Sequence, residues 1–330
     1  MKIKVFRAED INQALSMMEA VEVVKNAFVQ LSSKQAQSPV RTSLNLRNQG
    51  EVALTMPAFL GETLALGTKI VTVLPQNPSR GLSAVQALVV LFDATTGGPS
   101  AILEGTHLTR LRTGAATGAA TQVFSRRDAK KLALFGAGGQ AFFQVQGVWA
   151  ARKVERSVIF DLLPERVDSL IGLLKKTLRG REVEILKARS PEEALEGADV
   201  VVTATSSRQP VFPGKALSAG AHVNAIGAFK PEMQEVDEET VLRSRIFVDS
   251  VAACLEEAGD LIIPLKKGLL RQADIQAELG EVIAGKKPGR RDDQEITYFK
   301  SVGNAVQDIS VAQAVFQRAV AKGLGQEVEL

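Results

Sequence analysis

Residues Lys131 to Ala151 constrain the fold of this chain more than any other stretch. Leu132-Ala133-Leu134-Phe135 reads as a buried strand that ends in Gly136-Ala137-Gly138-Gly139-Gln140-Ala141 and opens into the helical run Phe142 to Ala151. Strand, G-x-G-x-x-A turn and helix in that order fit a β–α–β unit that carries a dinucleotide pyrophosphate on the turn. Gly136 permits the tight turn, Gly138 lets the backbone approach phosphates, and Ala141 is small enough for the helix to pack on the strand. The helix N-terminus adds N–H groups and the positive end of its dipole. The same glycines also serve an ordinary β–α turn, and the next strand separates the two readings. Arg156-Ser157-Val158-Ile159-Phe160 ends in Asp161, 25 residues after Gly136. A carboxylate there accepts hydrogen bonds from the adenosine ribose and repels a 2′-phosphate. NAD(H) is therefore the favoured cofactor, with NADP(H) the second choice because Arg166 lies five residues beyond Asp161.

A length of 330 residues exceeds what one core usually organises, so two domains are expected. Ser16-Met17-Met18-Glu19 has the form of a capping box, and Val21, Val24, Phe28 and Leu31 follow at helical spacing, which predicts a helix over 17–32. Strand-like runs at 51–56, 64–74 and 85–93 follow, so the first third reads as α+β with an antiparallel or mixed sheet. From about residue 115 strands alternate with helices, with strands at 132–135, 156–161, 183–187, 199–204, 222–226 and 245–249 and helices from Pro164 to Leu178 and Pro191 to Leu195. That is the pattern of a doubly wound parallel sheet. Ala305, Ile309, Ala312, Phe316 and Ala319 share one face of a last helix, which Gly323 closes and which is expected to return to the first domain. The fold class is thus α/β: a Rossmann-type domain over 115–299, plus an α+β domain made of 1–114 and 300–330.

Composition narrows the partners. The net charge is +3, and Lys and Arg are scattered apart from Lys286-Lys287 and Arg290-Arg291, which read as a solvated turn within the loop 285–294. No nucleic-acid partner is expected. His107 and His222 are the only histidines and stand in no metal-ligand spacing, so no metal is expected. A single cysteine, Cys254, fits a reducing compartment. Met1-Lys2-Ile3-Lys4-Val5 leads straight to charged residues, and no run of about 18 apolar residues occurs, so the expectation is a cytoplasmic protein without a membrane partner.

Three basic residues stand in informative places. Arg41 opens the strand-like run Thr42 to Leu46, Lys69 lies inside the apolar run Leu64 to Val73, and Arg112 lies in Leu108-Thr109-Arg110-Leu111-Arg112-Thr113-Gly114-Ala115-Ala116 at the expected domain boundary. A lysine among β-branched residues is costly unless paired or functional. Arginine suits bidentate recognition of a carboxylate. Two arginines and a lysine match a small amino or imino acid, although each also suits a structural ion pair. Past the glycine turn, Ala198 to Ser206 and Val223 to Ala228 are strands whose ends, with small and hydroxyl residues, suit a cofactor crevice.

Taken together, Pro39-Val40-Arg41, Gly67-Thr68-Lys69, the Leu108–Ala116 segment, the glycine turn, Ala225-Ile226-Gly227-Ala228, Phe247-Val248-Asp249-Ser250 and Phe299-Lys300-Ser301-Val302-Gly303-Asn304-Ala305 with Asp308 resemble the ornithine cyclodeaminase/μ-crystallin family over nearly the whole chain. The resemblance implies a substrate-binding and dimerisation domain around a central Rossmann domain, and hence a homodimer. It implies that substrate is bound by Arg41, Lys69, Arg112, Phe229, Val302 and Gly303, with Lys69 and Arg112 the catalytic pair. It places cofactor contacts at Arg112, Thr113, Gly136, Gly138, Gly139, Gln140, Ala141, Asp161, Thr205, Ile226, Gly227, Ala228 and Ser301.

One position departs from the family pattern. Cyclodeaminases and the related alanine dehydrogenases carry an aspartate two residues after the Ile-Gly glycine, where this chain has Phe229. A phenyl ring neither accepts a proton nor pairs with an ammonium. Members without that aspartate resemble reductases of cyclic ketimines. An already electrophilic protonated imine needs positioning more than base catalysis. The expected activity is reduction of Δ1-pyrroline-2-carboxylate or Δ1-piperideine-2-carboxylate to L-proline or L-pipecolate. The alternatives are ornithine cyclodeaminase or an amino-acid dehydrogenase, and a non-catalytic protein that binds NAD(P) and a small ligand.

Overall fold

The computed structural model describes residues 1–47, 50–178 and 180–329, and among them the strand–helix alternation after Lys131 builds an eight-stranded sheet. In spatial order its strands are Glu184–Lys187, Arg156–Phe160, Lys131–Phe135, Val200–Thr203, His222–Ala225, Ile296–Lys300, Ser244–Val248 and Ile275–Glu278. All neighbouring pairs are parallel. Arg156–Phe160 lies on one side of Lys131–Phe135 and Val200–Thr203 on the other, so the strand order reverses there. Ligands bind past the carboxyl ends of strands at such a switch point. Both faces are covered at the centre of the sheet, which is why residues 132–135 and 200–202 are apolar throughout. Leu132 and Leu134 belong to one buried cluster with Val145, Val148 and Trp149, while Ala133 and Phe135 belong to another with Phe212 and Tyr298.

This sheet lies in a compact unit of Gly114–Gly303, and a second unit is formed by Met1–Thr113 with Asn304–Leu330. The latter has a mixed sheet in the order Gln326–Glu329, Lys2–Phe6, Pro99–Glu104, Val85–Asp93, Ala65–Val73, Val52–Leu60 and Ala36–Gln37, with Thr42–Asn45 also pairing with Val52–Leu60. Helix Met17–Ser32 starts with the expected box: the Ser16 amide donates to Glu19 at 2.9 Å while the Ser16 hydroxyl oxygen accepts from the Glu19 amide. Helix Ala305–Ala321 packs on this helix and on strands Val52–Leu60 and Ala65–Val73. Gly323 follows it with φ +68°.

Several elements escape the sequence reading. Lys2–Phe6 and Gln326–Glu329 are short and charged, and they form by pairing antiparallel with each other while Lys2–Phe6 also pairs parallel with Pro99–Glu104. Strands Ile275–Glu278 and Ile296–Lys300 lack long apolar runs. Helix Gly105–Phe124 is dense in glycine and threonine, which are weak helix formers. Its small residues serve packing instead, since a Cβ on Gly147 would sit 2.0 Å from the Gly114 carbonyl oxygen. The loop 285–294 needs a correction as well. Arg290 is no solvated side chain: it donates to the carbonyls of Phe124, Gly220 and Ala221 and to the Thr297 hydroxyl, pinning the loop to the starts of strands His222–Ala225 and Ile296–Lys300. Among the described residues no helix is long and apolar enough to cross a membrane, and no group of three or more His, Cys, Asp or Glu side chains gathers as a metal site.

Candidate active site

In the unit formed by both ends of the chain, strand Ala65–Val73 alternates so that Ala65, Gly67, Lys69 and Val71 point inward. Gly67 has no room for a side chain, because a Cβ would lie 2.4 Å from the Val90 carbonyl oxygen and 3.1 Å from Ile309 Cδ1. Helix Ala305–Ala321 therefore lies close, and Asp308 in its first turn reaches Lys69 Nζ at 2.8 Å. The other Asp308 oxygen accepts from Arg112 Nε at 2.9 Å, and an Arg112 terminal nitrogen donates to Gln307 Oε1 at 2.5 Å. Asp308 is fully buried, and Lys69 is 2% exposed. One carboxylate thus bridges two cations. Burial pushes the Lys69 ammonium down from 10.5 to about 7; Asp308 opposes this, and the charges of Arg112 and Arg41 reinforce it. Of these four side chains three are cationic, so the cluster is matched to an incoming anion. The structure brings Arg41, Lys69 and Arg112 together electrostatically, and Asp308 is what holds the last two. The Thr113 hydroxyl, one residue on, donates to the Thr109 carbonyl at 2.6 Å.

The glycine turn carries a double constraint at Gly136. Its φ is +99°, and a Cβ would meet the Ala204 carbonyl oxygen at 2.7 Å and Thr205 Cγ2 at 2.8 Å. Around Gly138 a Cβ would meet nothing within 4 Å, so its backbone stays approachable, and Gly138 and Gly139 are exposed. Helix Ala141–Ala151 has no side-chain cap at Gln140, whose Oε1 is buried without a partner. An uncapped helix start beside an open glycine fits a pyrophosphate. Asp161 is fixed at its strand end, accepting from the Ala137 amide at 2.7 Å and the Leu163 amide at 2.9 Å.

The remaining cofactor-facing candidates are held by acids that the sequence reading did not single out for this task. Glu235, fully buried, accepts from the amides of Thr205, Gly227 and Ala228 and from the hydroxyls of Thr203 and Thr205. Asp249 accepts from the Ser301 hydroxyl at 2.7 Å and from the Val302 and Gly303 amides at 3.0 and 2.9 Å. Asp260 joins Lys300 Nζ at 2.8 Å, with both side chains fully buried. Ile226 is buried with its amide on the Thr203 carbonyl at 3.0 Å. Phe229 is half-buried against the apolar cluster around Phe135 and Phe212, with Lys230 Nζ 6.0 Å from its ring centre. Phe229, Val302 and Gly303 belong to the Gly114–Gly303 unit, whereas Arg41, Lys69 and Arg112 belong to the other. A local pattern carries no mark of Glu235 or Asp260, because Gln234-Glu235-Val236-Asp237 reads as an ordinary polar turn.

Comparison with known proteins gives a consistent picture. A family model described as the ornithine cyclodeaminase/mu-crystallin family matches residues 1–323. The chain is 38% identical over 326 residues to a Delta(1)-pyrroline-2-carboxylate reductase of Bacillus cereus, covering 98% of this chain and 99% of that protein. The structure of the Thermococcus litoralis Delta(1)-pyrroline-2-carboxylate reductase in complex with NADH and L-proline superposes with a TM-score of 0.95 at 37% identity, covering 99% of this chain and 100% of that one. An archaeal alanine dehydrogenase dimer with bound NAD gives a TM-score of 0.92 at 33% identity, with each chain covered in full.

Proposed function

The chain belongs to the ornithine cyclodeaminase/mu-crystallin family, and on that premise we propose that it is an NADH-dependent reductase of small cyclic imino acids. Its substrates are Δ1-pyrroline-2-carboxylate and Δ1-piperideine-2-carboxylate, and its products L-proline and L-pipecolate. The observation that carries this reading is the buried cluster in which Asp308 bridges Lys69 and Arg112 near Arg41, leaving positive charge for a substrate carboxylate. The Thermococcus litoralis reductase with NADH and L-proline supports the substrate class. Phe229, in place of the aspartate of the family's deaminating members, favours reduction over ammonia release.

In this reading Arg41 and Arg112 clamp the carboxylate with paired N–H donors. Lys69 donates its Nζ proton to the imine nitrogen, so that the C=N bond is protonated when hydride arrives, and the neutral amine left behind regains a proton from solvent. Bound NADH supplies the hydride that the imine carbon accepts. Asp308 keeps the Lys69 and Arg112 side chains in one arrangement, and Phe229 offers a flat apolar wall to a planar ring. Val302 and Gly303 contribute backbone to the substrate site. Gly136, Gly138, Gly139, Gln140 and Ala141 hold the pyrophosphate, Asp161 the adenosine ribose, and Arg112, Thr113, Thr205, Ile226, Gly227, Ala228 and Ser301 the nicotinamide half. The Gly114–Gly303 unit is then the dinucleotide domain, and the other unit serves substrate and dimer formation.

The dimer has support in an apolar outer sheet face, where Ile70 pairs with Leu88 and both are about half exposed, while Leu44 on a nearby strand is 64% exposed. A contiguous patch of that kind suits an isologous contact with a second copy. Sedimentation velocity that shows only monomer at micromolar concentration removes this part of the reading. The one cysteine, Cys254, is buried and free, in keeping with a cytoplasmic enzyme, which cell fractionation tests.

A second reading, alanine-type dehydrogenase, draws on the 33% identity to the archaeal enzyme. One experiment separates the possibilities. Purified protein is given NADH with pyrroline carboxylate, NADH with pyruvate and ammonia, or NAD with ornithine, while nicotinamide absorbance and ammonia are followed. Fast NADH oxidation with the cyclic imine alone is expected; ammonia release from ornithine, or faster turnover of pyruvate, refutes the assignment.

A further inference from the structure

We propose that Glu235 is the positioning residue for hydride transfer: its carboxylate ties the ends of strands Val200–Thr203 and His222–Ala225 together and so fixes the backbone of Thr205, Gly227 and Ala228 under the nicotinamide. This rests on the NADH reading above and assigns a role to a residue that touches neither substrate nor cofactor.

The geometry is specific. Glu235 Oε1 accepts from the Thr205 amide at 2.6 Å and the Thr205 hydroxyl at 2.8 Å. Oε2 accepts from the Gly227 amide at 2.6 Å, the Ala228 amide at 3.0 Å and the Thr203 hydroxyl at 3.0 Å. Three of these five donors are backbone N–H groups, which cannot swing away as a side chain can. The carboxylate therefore sets main-chain positions. There is no slack between the two strand ends: a Cβ on Gly227 would lie 2.1 Å from the Thr205 carbonyl oxygen and 2.5 Å from Glu235 Oε1. Thr205 is also wedged from the other side, since a Cβ on Gly136 would meet its Cγ2 at 2.8 Å. Glu235 thereby links the pyrophosphate turn to the Ile-Gly-Ala loop through one side chain.

Glu235 is itself braced. Its own amide, with that of Val236, donates to Asp260 Oδ1 at 2.7 and 3.2 Å, and Asp260 Oδ2 meets Lys300 Nζ at 2.8 Å. Burial above all raises the proton affinity of Glu235, and Lys300 and the Thr205 donors counter it. Each of the five groups around the carboxylate reaches Glu235 with an N–H or O–H, an arrangement that suits an acceptor-only carboxylate. Two buried carboxylates around one ammonium are a costly way to stabilise a fold, and an apolar filling would do that better. What the charged arrangement offers is a fixed backbone where a reacting ring must lie within a fraction of an ångström.

Glu235→Gln keeps the shape but turns an NH2 group toward the Thr205 amide or toward the amides of Gly227 and Ala228. Thr203→Val removes a single hydroxyl bond and leaves the cofactor-facing residues intact. For Glu235→Gln, kcat with Δ1-pyrroline-2-carboxylate should fall about 100-fold, and the primary isotope effect with C4-deuterated NADH should rise. NADH affinity, dominated by the pyrophosphate and adenosine ends, should stay near wild type. In the cofactor-free protein, hydrogen exchange at the Thr205, Gly227 and Ala228 amides should quicken at least about tenfold. Thr203→Val should move every readout the same way and less far, and it decides the matter if Glu235→Gln does not fold. Unchanged amide exchange and isotope effect in folded variants of an active wild-type protein overturn the role of Glu235. A wild-type protein that binds no NADH overturns the functional reading instead.

Discussion

Replacing Lys69 by Met should abolish turnover and make the protein more stable. Lys69 is 2% exposed, and its ammonium is pushed from 10.5 to about 7, chiefly by burial. The sign follows from proton binding. Between those two pH values the unfolded chain holds the proton and the folded one tends to release it, so stability falls as pH drops from 10.5 toward 7 and then levels off. At pH 7 the cost is about 4–5 kcal/mol, taking 1.36 kcal/mol per pH unit. Methionine removes it, while Asp308 keeps its bond to Arg112 at 2.9 Å. Replacing a whole buried ion pair by apolar volume gains about 1–4 kcal/mol; the single change keeps that sign here because Arg112 still neutralises Asp308, and each kcal/mol raises Tm by roughly 2–4 °C at this size. Scanning calorimetry of the two proteins at pH 7 and pH 9 should show the variant melting several degrees higher at pH 7, with a smaller gap at pH 9. A variant that melts lower, by the same amount at both pH values, would show that Lys69 is a structural ion-pair partner. The site would then have been assigned to the wrong residue.

The protonated Lys69 is the active form in the proposed reaction, so kcat/KM should decline as pH rises through about 7; if Lys69→Arg leaves that limb in place, the titrating group is elsewhere. Arg112→Ala should lose about 2–5 kcal/mol of transition-state binding, read as kcat/KM with Tm as control, and near-native catalysis would remove Arg112 from the clamp. Asp161→Ala should narrow the preference for NADH over NADPH in competitive kinetics, because the repelling carboxylate is gone; a wild-type preference for NADPH that survives the change contradicts the ribose role. Phe229→Asp should weaken imine reduction by setting a charge beside a planar substrate, and stronger imine reduction by this variant would show that the apolar wall is irrelevant.

Features that depend on a few adjacent residues were legible in the sequence. Gly136 needs a positive φ and the absence of a Cβ, and both requirements write themselves as a glycine at a fixed place after a strand. The switch from an α+β pattern to strand–helix alternation is equally local, and it gave the fold class. Partners distant in sequence were not legible. Asp308 stands in the motif that carried the family resemblance, yet nothing near it says that it bonds Lys69, 239 residues earlier. Lys300 ends a strand and is completely buried, which Asp260 across the fold, together with the charge of Glu235, makes tolerable. Helix Gly105–Phe124 was hidden because its glycines and threonines answer to close packing, as at Gly114 and Gly147, and weaken the local helical signal.

The unit that holds Lys69 is made from the two ends of the chain, and this imposes an order of events during synthesis. A ribosome adding about 5–20 residues per second needs roughly 12 to 50 seconds to travel from Lys69 to Asp308, given their 239-residue separation. Throughout that interval the strand Ala65–Val73 lacks the helix that covers its inner face, and the lysine lacks its counter-ion. The interposed segment Gly114–Gly303 emerges complete before the last helix does. The nascent chain can thus close its nucleotide half first and holds an unfinished apolar sheet until residues 305–321 arrive. Chaperone demand should concentrate in that window, and the Lys69–Asp308–Arg112 cluster comes into being only once residues 305–321 have been made.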